Sequence, residues 1–259
     1  MTRGLEAFIQ RKREFNESFE GLRAEPRLIS VDGPDGAGKT TIIEKLIKTL
    51  KAKFVELGKN PEDIVYVKYF KIFDTASQKR LHAEREKLWS DGERPTDEKM
   101  RRLGQIWAAI LSRAYAANIR PLLEEGKVVI LDRSEVDTMR SVLEWYPDLE
   151  KVVREYYEKG TLTGGIVAGN RVFISASPED LYNNLSKKSE PLTINDPKSV
   201  EECERRVRTE KEAEKLIEEI PVKGTATIIK IENPRVEDLG EREKQLDKLA
   251  DQIALEINF

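Results

Sequence analysis

The sequence contains one motif of fixed spacing, Gly33-Pro34-Asp35-Gly36-Ala37-Gly38-Lys39-Thr40, which fits the pattern G-x-x-x-x-G-K-[ST]. A short β-rich run, 27–31, precedes the motif, and an amphipathic helical pattern follows it to about residue 53. A strand, a glycine-rich loop and a helix in this order are typical of a phosphate-binding P-loop. The sequence therefore predicts a nucleoside-triphosphate site at this loop.

The residue types of the loop match the chemistry of a triphosphate. Glycines allow the backbone to curl so that successive N–H groups point at phosphate oxygens, and the helix that begins near Lys39 adds its positive end. Lys39 would neutralise phosphate charge, and the Thr40 hydroxyl would lie close to Mg²⁺. The predicted ATP-binding residues are Gly33, Asp35, Gly36, Ala37, Gly38, Lys39, Thr40 and Thr41.

A second acidic position follows the uninterrupted apolar run 128–131. Asp132 ends this run, where P-loop proteins place a carboxylate close to Mg²⁺, so Thr40 and Asp132 form the predicted metal site. Arg133 comes next, in place of the glutamate that activates water in motor ATPases. Its planar guanidinium is suited to holding an anionic acceptor. Since a guanine-specificity segment Asn-Lys-x-Asp is also absent from the sequence, a kinase is favoured over a motor ATPase or a GTPase switch.

The order of strands and helices predicts an α/β fold. Five strand patterns, separated by helical ones, occur at 27–31, 64–70, 128–131, 171–175 and 225–230. They predict a five-stranded parallel sheet with helices on both faces, in one domain covering 27–259. Thr96 is the expected N-cap of one helix, and a closing helix is expected at 236–257. The charged lead 1–26 is expected to form an extra N-terminal helix that ends at Pro26.

The composition argues for local phosphate recognition only. The 259 residues include 45 basic and 48 acidic side chains, so the net charge is −3. This balance gives no general attraction to nucleic acid or to an anionic membrane, and neither is an expected partner. With no apolar leader or spanning stretch and only Cys203 as a thiol, a cytoplasmic location is expected.

Two blocks of sequence resemble the thymidylate kinases, within the nucleoside-monophosphate kinase group. The first block is 29–41, with Asp35 at a position where that family typically has aspartate. The second combines Arg113-Ala114 with 121–133, which ends in Asp132-Arg133. A weaker third match leads from Ser177-Pro178-Glu179 through a lid to Arg206-Val207-Arg208.

The resemblance implies a three-layer P-loop kinase fold, Mg²⁺ with ATP as donor, a small phosphorylated acceptor, and a homodimer. It further implies that Arg133 holds the acceptor phosphate and that Arg113 lines the acceptor pocket. The sequence departs from the family at Ala109, where a stacking phenylalanine is common, and at Ser134, where tyrosine is common. Trp107 or Tyr115 could stack on a base from the same helix.

A lid over the phosphates is expected at about 186–198. Lids of this kind usually carry arginines, whereas this loop offers Lys187 and Lys188, with Arg205, Arg206 and Arg208 on the following helix. Lys39, Arg133, Lys187 and Lys188 are the predicted catalytic residues, and Lys71 is a further candidate for contact with the acceptor.

Three functions stay open on the sequence alone. The first is a nucleotide kinase acting on a nucleoside monophosphate such as dTMP. The second is a P-loop kinase for a nucleoside or another metabolite, for which Glu135 or Asp137 could supply the base. The third is a nucleotide-binding regulatory protein with little turnover.

Overall fold

The computed structural model describes residues 21–69, 76, 79, 83, 96–145, 147–160, 162–187, 197–233 and 238–257. Its strands are β1 (Leu22–Asp32), β2 (Ile64–Lys68), β3 (Val128–Asp132), β4 (Ile166–Ser175), β5 (Val222–Lys223) and β6 (Thr227–Glu232). Its α-helices are α1 (Lys39–Glu56), α2 (Asp97–Asn118), α3 (Arg120–Glu124), α4 (Glu135–Trp145), α5 (Glu150–Glu158), α6 (Pro178–Ser186), α7 (Val200–Glu218) and α8 (Leu239–Glu256).

All strand pairs in these ranges are parallel. The main sheet has the order β2-β3-β1-β4-β6, and the two-residue strand β5 pairs with the start of β1. The predicted α/β fold with a five-stranded parallel sheet is therefore confirmed, with β5 as a short addition. β1 is central, so the loop that follows it opens at the carboxyl edge of the sheet, between its two neighbours β3 and β4.

Two hydrophobic cores cover the two faces of the sheet. Along β3, Val129 and Leu131 belong to a core that includes residues of α2, α4, α5 and α7, while Val128 and Ile130 belong to a core that includes residues of α1, α6 and α8 and Cys203 of α7. This alternation follows from the period of two along a strand. It explains the uninterrupted apolar run in the sequence, because a strand buried on both faces has no exposed side for polar residues.

The predicted end of the N-terminal helix, at Pro26, is wrong. β1 begins at Leu22, so residues 22–26 are strand, while the rest of the predicted extension, 1–20, lies outside the described residues. Pro26 lies inside β1, where the register against β4 shifts between Glu25 and Ile29. Its carbonyl accepts a hydrogen bond from Nδ2 of Asn170 at 2.7 Å. A proline is tolerated in a strand at such an irregularity. Pro26 therefore marks a bulge in β1 and does not end a helix.

Other element boundaries moved by a few residues. β4 starts five residues before the predicted strand, at Ile166, and β6 starts at Thr227, two residues after the predicted position. The closing helix α8 starts at Leu239, after its N-cap Asp238. Terminal positions of this kind depend on local hydrogen bonds more than on hydrophobic periodicity.

Side-chain caps fix the starts of several helices. The predicted cap Thr96 is confirmed, since its Oγ1 accepts from the backbone N–H of Lys99 at 3.4 Å. Ser177 and Ser199 cap α6 and α7 in the same way. The helices so defined are amphipathic, and none within the described ranges is long and apolar enough to cross a membrane.

Candidate active site

The glycine-rich loop has the backbone that its sequence predicts. Gly33, Gly36 and Gly38 have φ angles of 141°, 89° and 84°, which side-chain-bearing residues rarely adopt. At Gly33 a Cβ atom would also lie 2.1 Å from the carbonyl oxygen of Ile174 in β4. Glycine is therefore required at this position by conformation and by space.

Lys39 is folded back onto the loop. Its Nζ donates to the carbonyl oxygens of Gly33 at 2.6 Å and Pro34 at 2.8 Å. Burial lowers the pKa of Lys39, and the positive charge of Arg133 adds to this effect. The ammonium group thus lies at the loop, with loop carbonyls as its partners.

Two asparagines hold further loop carbonyls from outside the loop. Asn184 in α6 donates from Nδ2 to the carbonyl of Gly36, and Asn233, directly after β6, donates to that of Ala37, each at 2.9 Å. A Cβ at Gly38 would lie 2.7 Å from Nδ2 of Asn233. Sequence reasoning missed both asparagines, because nothing in the local pattern shows that residues so distant in the chain meet the loop.

Oxygen donors suited to magnesium lie at the same edge of the sheet. Thr40 and Thr41 are exposed in the first turn of α1, and Asp132 ends β3 opposite Val31. The hydroxyl of Tyr66 donates to Oδ2 of Asp132 at 2.8 Å. One alcohol and one carboxylate fit Mg²⁺, which usually keeps several waters and takes further oxygens from nucleotide phosphates. Among the described residues no cluster of three His, Cys, Asp or Glu side chains forms a metal cage of its own.

Arg133 leaves β3 in an unusual conformation. It is the non-glycine residue with a positive φ, 73°, within the described part of the chain. Its backbone N–H donates to the carbonyl of Val31 at 3.0 Å, which fixes the turn. Its guanidinium contacts Asp137 at 2.6 Å and forms an ion pair with Asp35 in the glycine-rich loop. The left-handed turn therefore brings Arg133 to the phosphate-binding loop.

Asp35 joins the loop to two arginines. Its Oδ1 pairs with Arg133, and its Oδ2 lies 3.1 Å from Nη1 of Arg206 in α7. Burial alone would raise the pKa of Asp35, but the positive charges of Arg133, Lys39 and Arg206 outweigh it and hold the pKa well below its ordinary value. Asp35 is therefore an anion at neutral pH. Arg206 was absent from the predicted site residues, although the segment Arg206-Val207-Arg208 in the third match pointed to it.

A buried ion-pair network continues behind these arginines. Arg140 contacts Asp137 at 3.0 Å and Glu144 at 2.6 Å, and its Nε lies 3.3 Å from Glu210 without hydrogen-bond geometry. Arg206 also approaches Glu144, at 3.7 Å. Burial raises the pKa of Glu210 to about 7, against the opposing effect of Arg140. The network ties α4 and α7 to the loop through charges that are largely removed from water.

A hydrogen-bonded pair connects the ends of β1 and β3. The carboxylate of Asp32 accepts from the backbone N–H and from the hydroxyl of Ser134, each at 2.8 Å. Burial raises the pKa of Asp32 to about 8. Ser134, at a position where the thymidylate kinases commonly have tyrosine, thus links the end of β3 to the end of β1.

The alternative base candidates are already engaged. Glu135 is buried and accepts from the hydroxyls of Tyr115 at 3.0 Å and Tyr157 at 2.6 Å. Asp137 is buried between Arg133 and Arg140. Neither carboxylate is presented to an acceptor hydroxyl in this arrangement, and Tyr115 lies in the core with its hydroxyl bound. The side chain of Trp107 is outside what the structure describes.

The remaining predicted residues are not assembled with the loop by the described contacts. Arg113 is exposed on α2, and Lys187 is exposed at the end of α6. Lys71 and Lys188 lie outside the described residues, as does most of the expected lid. Their roles stay predictions.

Comparison with known proteins supports the kinase interpretation of this geometry. No family model matches the chain. A thymidylate kinase from Leuconostoc mesenteroides is 32% identical over 108 residues, which is 42% of this chain and 45% of that protein. A cytidylate kinase from Caldanaerobacter subterraneus is 26% identical over 190 residues, 64% of this chain and 82% of that protein. The chain is distantly related to nucleotide kinases. The match to the thymidylate kinase covers less than half of the length of that protein.

Proposed function

We propose that the protein is an ATP-dependent kinase that transfers a phosphoryl group to a nucleoside monophosphate, with dTMP as the first candidate. The observation that carries this proposal is the ion pair between Arg133 and Asp35, which brings an anion-binding side chain to the phosphate-binding loop. An arginine at this position suits a phosphorylated acceptor better than water. The similarity to a cytidylate kinase makes CMP the second candidate acceptor.

In this proposal each side of the site has its own task. The loop amides and Lys39 bind the β- and γ-phosphates of ATP, and Lys39 exchanges its loop carbonyls for phosphate oxygens. Thr40 and Asp132 would hold Mg²⁺, which supplies charge neutralisation between phosphates when bound. Arg133 orients the acceptor phosphate. Because that phosphate is already ionised, the reaction needs positioning and no general base.

The less defined residues have supporting roles in the proposal. Arg113 and Lys71 line the acceptor side, and Lys187 and Lys188 belong to a lid that excludes water during transfer. A homodimer in the cytoplasm fits the same resemblance. These roles rest on sequence and on the family resemblance alone.

The test is acceptor-dependent release of ADP. The protein is incubated with Mg²⁺ and ATP and a panel containing dTMP, CMP, other monophosphates, the matching nucleosides and small metabolites. Release with dTMP or CMP, and none with the nucleosides, is the expected result. Release with an unphosphorylated acceptor only would refute the proposal, and tight ATP binding without any acceptor-dependent release would identify a regulatory nucleotide-binding protein.

A further inference from the structure

We infer that Arg133 and Arg206 together form a phosphate-binding subsite, and that the Asp35 carboxylate occupies it while no ligand is bound. This deepens the proposed function and rests on it for the identity of the natural ligand, a phosphorylated acceptor. It adds Arg206 as a residue that contacts phosphate directly, and it gives Asp35 the role of an internal competitor.

The geometry around Asp35 is that of a bound oxyanion. Its two carboxylate oxygens are taken by different guanidinium groups, Oδ1 by Arg133 and Oδ2 by Arg206. The two arginines come from separate elements, the turn after β3 and the middle of α7. Two guanidinium groups repel each other, so an anion between them stabilises their approach, and planar guanidinium groups bind phosphate oxygens well.

The exposure of the three side chains indicates which of them an incoming phosphate would displace. Asp35 retains 26% of its side-chain exposure, compared with 16% for Arg133 and 7% for Arg206. Arg133 and Arg206 are also held from behind, by Asp137 and Glu144. An incoming phosphate therefore meets Asp35 first, and displacing that carboxylate leaves both guanidinium groups in place.

Charge favours the exchange once a phosphate arrives. A phosphate group has three terminal oxygens and up to two negative charges, so it can satisfy both arginines more fully than a carboxylate with one charge. Asp35 lies on the loop between Gly33 and Gly36, and its side chain is partly exposed. Turning it outward returns its charge to water.

The alternative role for Arg206 is to position Asp35, and a double-mutant cycle separates the two. Inorganic phosphate is titrated by calorimetry into the wild type, Arg206→Ala, Asp35→Asn and the double variant. Arg205→Ala is the matched control, because Arg205 is an exposed neighbour on the same helix. Thermal unfolding of each variant verifies the fold, and Arg206→Lys provides a milder change that keeps the charge.

If Arg206 contacts phosphate directly, its replacement should weaken phosphate binding both in the wild type and in the Asp35→Asn variant. Arg206→Ala should weaken phosphate binding about ten- to a hundredfold, as expected for a lost charge-assisted hydrogen bond, with or without Asp35→Asn. Asp35→Asn alone should strengthen binding, a gain that partial unfolding cannot imitate. Arg206→Lys should weaken binding less than Arg206→Ala does, and Arg205→Ala should leave it unchanged.

The inference is overturned if the effect of Arg206→Ala disappears in the Asp35→Asn background, or if Asp35→Asn weakens binding. Phosphate binding is measured without turnover, so the two proposals can fail separately. A protein that binds phosphate through Arg206 but uses no monophosphate would contradict the proposed function alone. A protein that phosphorylates dTMP without any effect of Arg206→Ala on phosphate binding would contradict this inference alone.

Discussion

The hydroxyl of Tyr66 donates a hydrogen bond at 2.8 Å to Oδ2 of Asp132 on the neighbouring parallel strand. Lys68 pairs with Asp132 in the register of β2 and β3, so Tyr66 is two positions earlier and lies on the same face of the sheet. Burial, together with the bond to Asp132, raises the pKa of Tyr66, so the hydroxyl remains a donor at any physiological pH. Tyr66 therefore orients the carboxylate that we propose as a magnesium ligand.

Replacing Tyr66 by phenylalanine should raise the Mg²⁺ concentration needed for half-maximal ADP release. The ring stays in place, whereas Asp132 loses the partner that orients it, and such losses typically weaken metal binding about 10–100-fold. The measurement is a magnesium titration of the transfer reaction. Tyr156→Phe, on the half-buried face of α5, serves as control and should leave the titration curve unchanged.

Lys39 and Arg133 should affect different substrates. Lys39→Ala is expected to abolish transfer, because the charge on the donor phosphates is no longer neutralised. Arg133→Ala should retain ATP binding and raise the KM for the acceptor. ATP binding is measured by calorimetry and the acceptor KM by ADP release. Equal losses of ATP affinity in both variants would contradict this division of roles.

Asp32 should make the stability of the protein fall as the pH rises. Burial raises its pKa from 3.8 to about 8, so the folded protein holds this proton more tightly than the unfolded chain does. The resulting stabilisation is complete below pH 3.8 and is lost as the pH rises to about 8, by about 1.4 kcal/mol for each unit of pKa difference.

Asp32→Asn removes this titration and keeps the size of the side chain. Urea unfolding of both proteins between pH 5 and 9 should show that the wild type loses free energy of unfolding relative to the variant, and that the difference is constant above about pH 8. A difference that does not change with pH over this interval would show that Asp32 is ionised throughout.

Gly169 should be intolerant of even one methyl group. A Cβ atom there would lie 2.7 Å from the backbone carbon and oxygen of Glu25, at the irregularity of β1, and backbone cannot turn aside. We expect Gly169→Ala to lower the free energy of unfolding by about 1–3 kcal/mol, as for other overpacked positions. In the control, Gly240→Ala in α8, the Cβ atom would lie 3.3 Å from Oδ1 of Asp238, the end of a side chain and not backbone, so a much smaller loss than at Gly169 is expected. Chemical denaturation of both variants tests the contrast.

Within one strand–loop–helix unit, the sequence was sufficient to predict the local fold around the candidate site. The glycine spacing predicted the loop, and the apolar run before Asp132 predicted a doubly buried strand, because both follow from local period and backbone conformation. Since the carboxyl ends of neighbouring parallel strands share an edge, Asp132 and the loop could also be placed together from the order of elements.

The residues that the sequence missed act across long separations. Asn184, Asn233 and Arg206 reach the loop from 148, 196 and 171 positions away. The surroundings of the two asparagines in the chain give no sign of this contact, and Arg206 was indicated only by the weak third match. The prediction at Pro26 failed for a related reason. From the local sequence, a proline after a helical pattern indicates the end of a helix, whereas pairing of β1 with β4 places Pro26 in an irregular strand.

Hydrogen bonds between the ends of β1 and β3 turn the two strands into a single fixed frame. Asp32 accepts hydrogen bonds from Ser134, and the N–H of Arg133 donates to Val31, so the two residues that follow β3 are held against the end of β1. In the proposed reaction, the loop after β1 and the turn that carries Arg133 after β3 therefore start from two paired strands about 4.8 Å apart. Closing of the site over its substrates would then change what surrounds these two strand ends and leave the spacing between them unaltered.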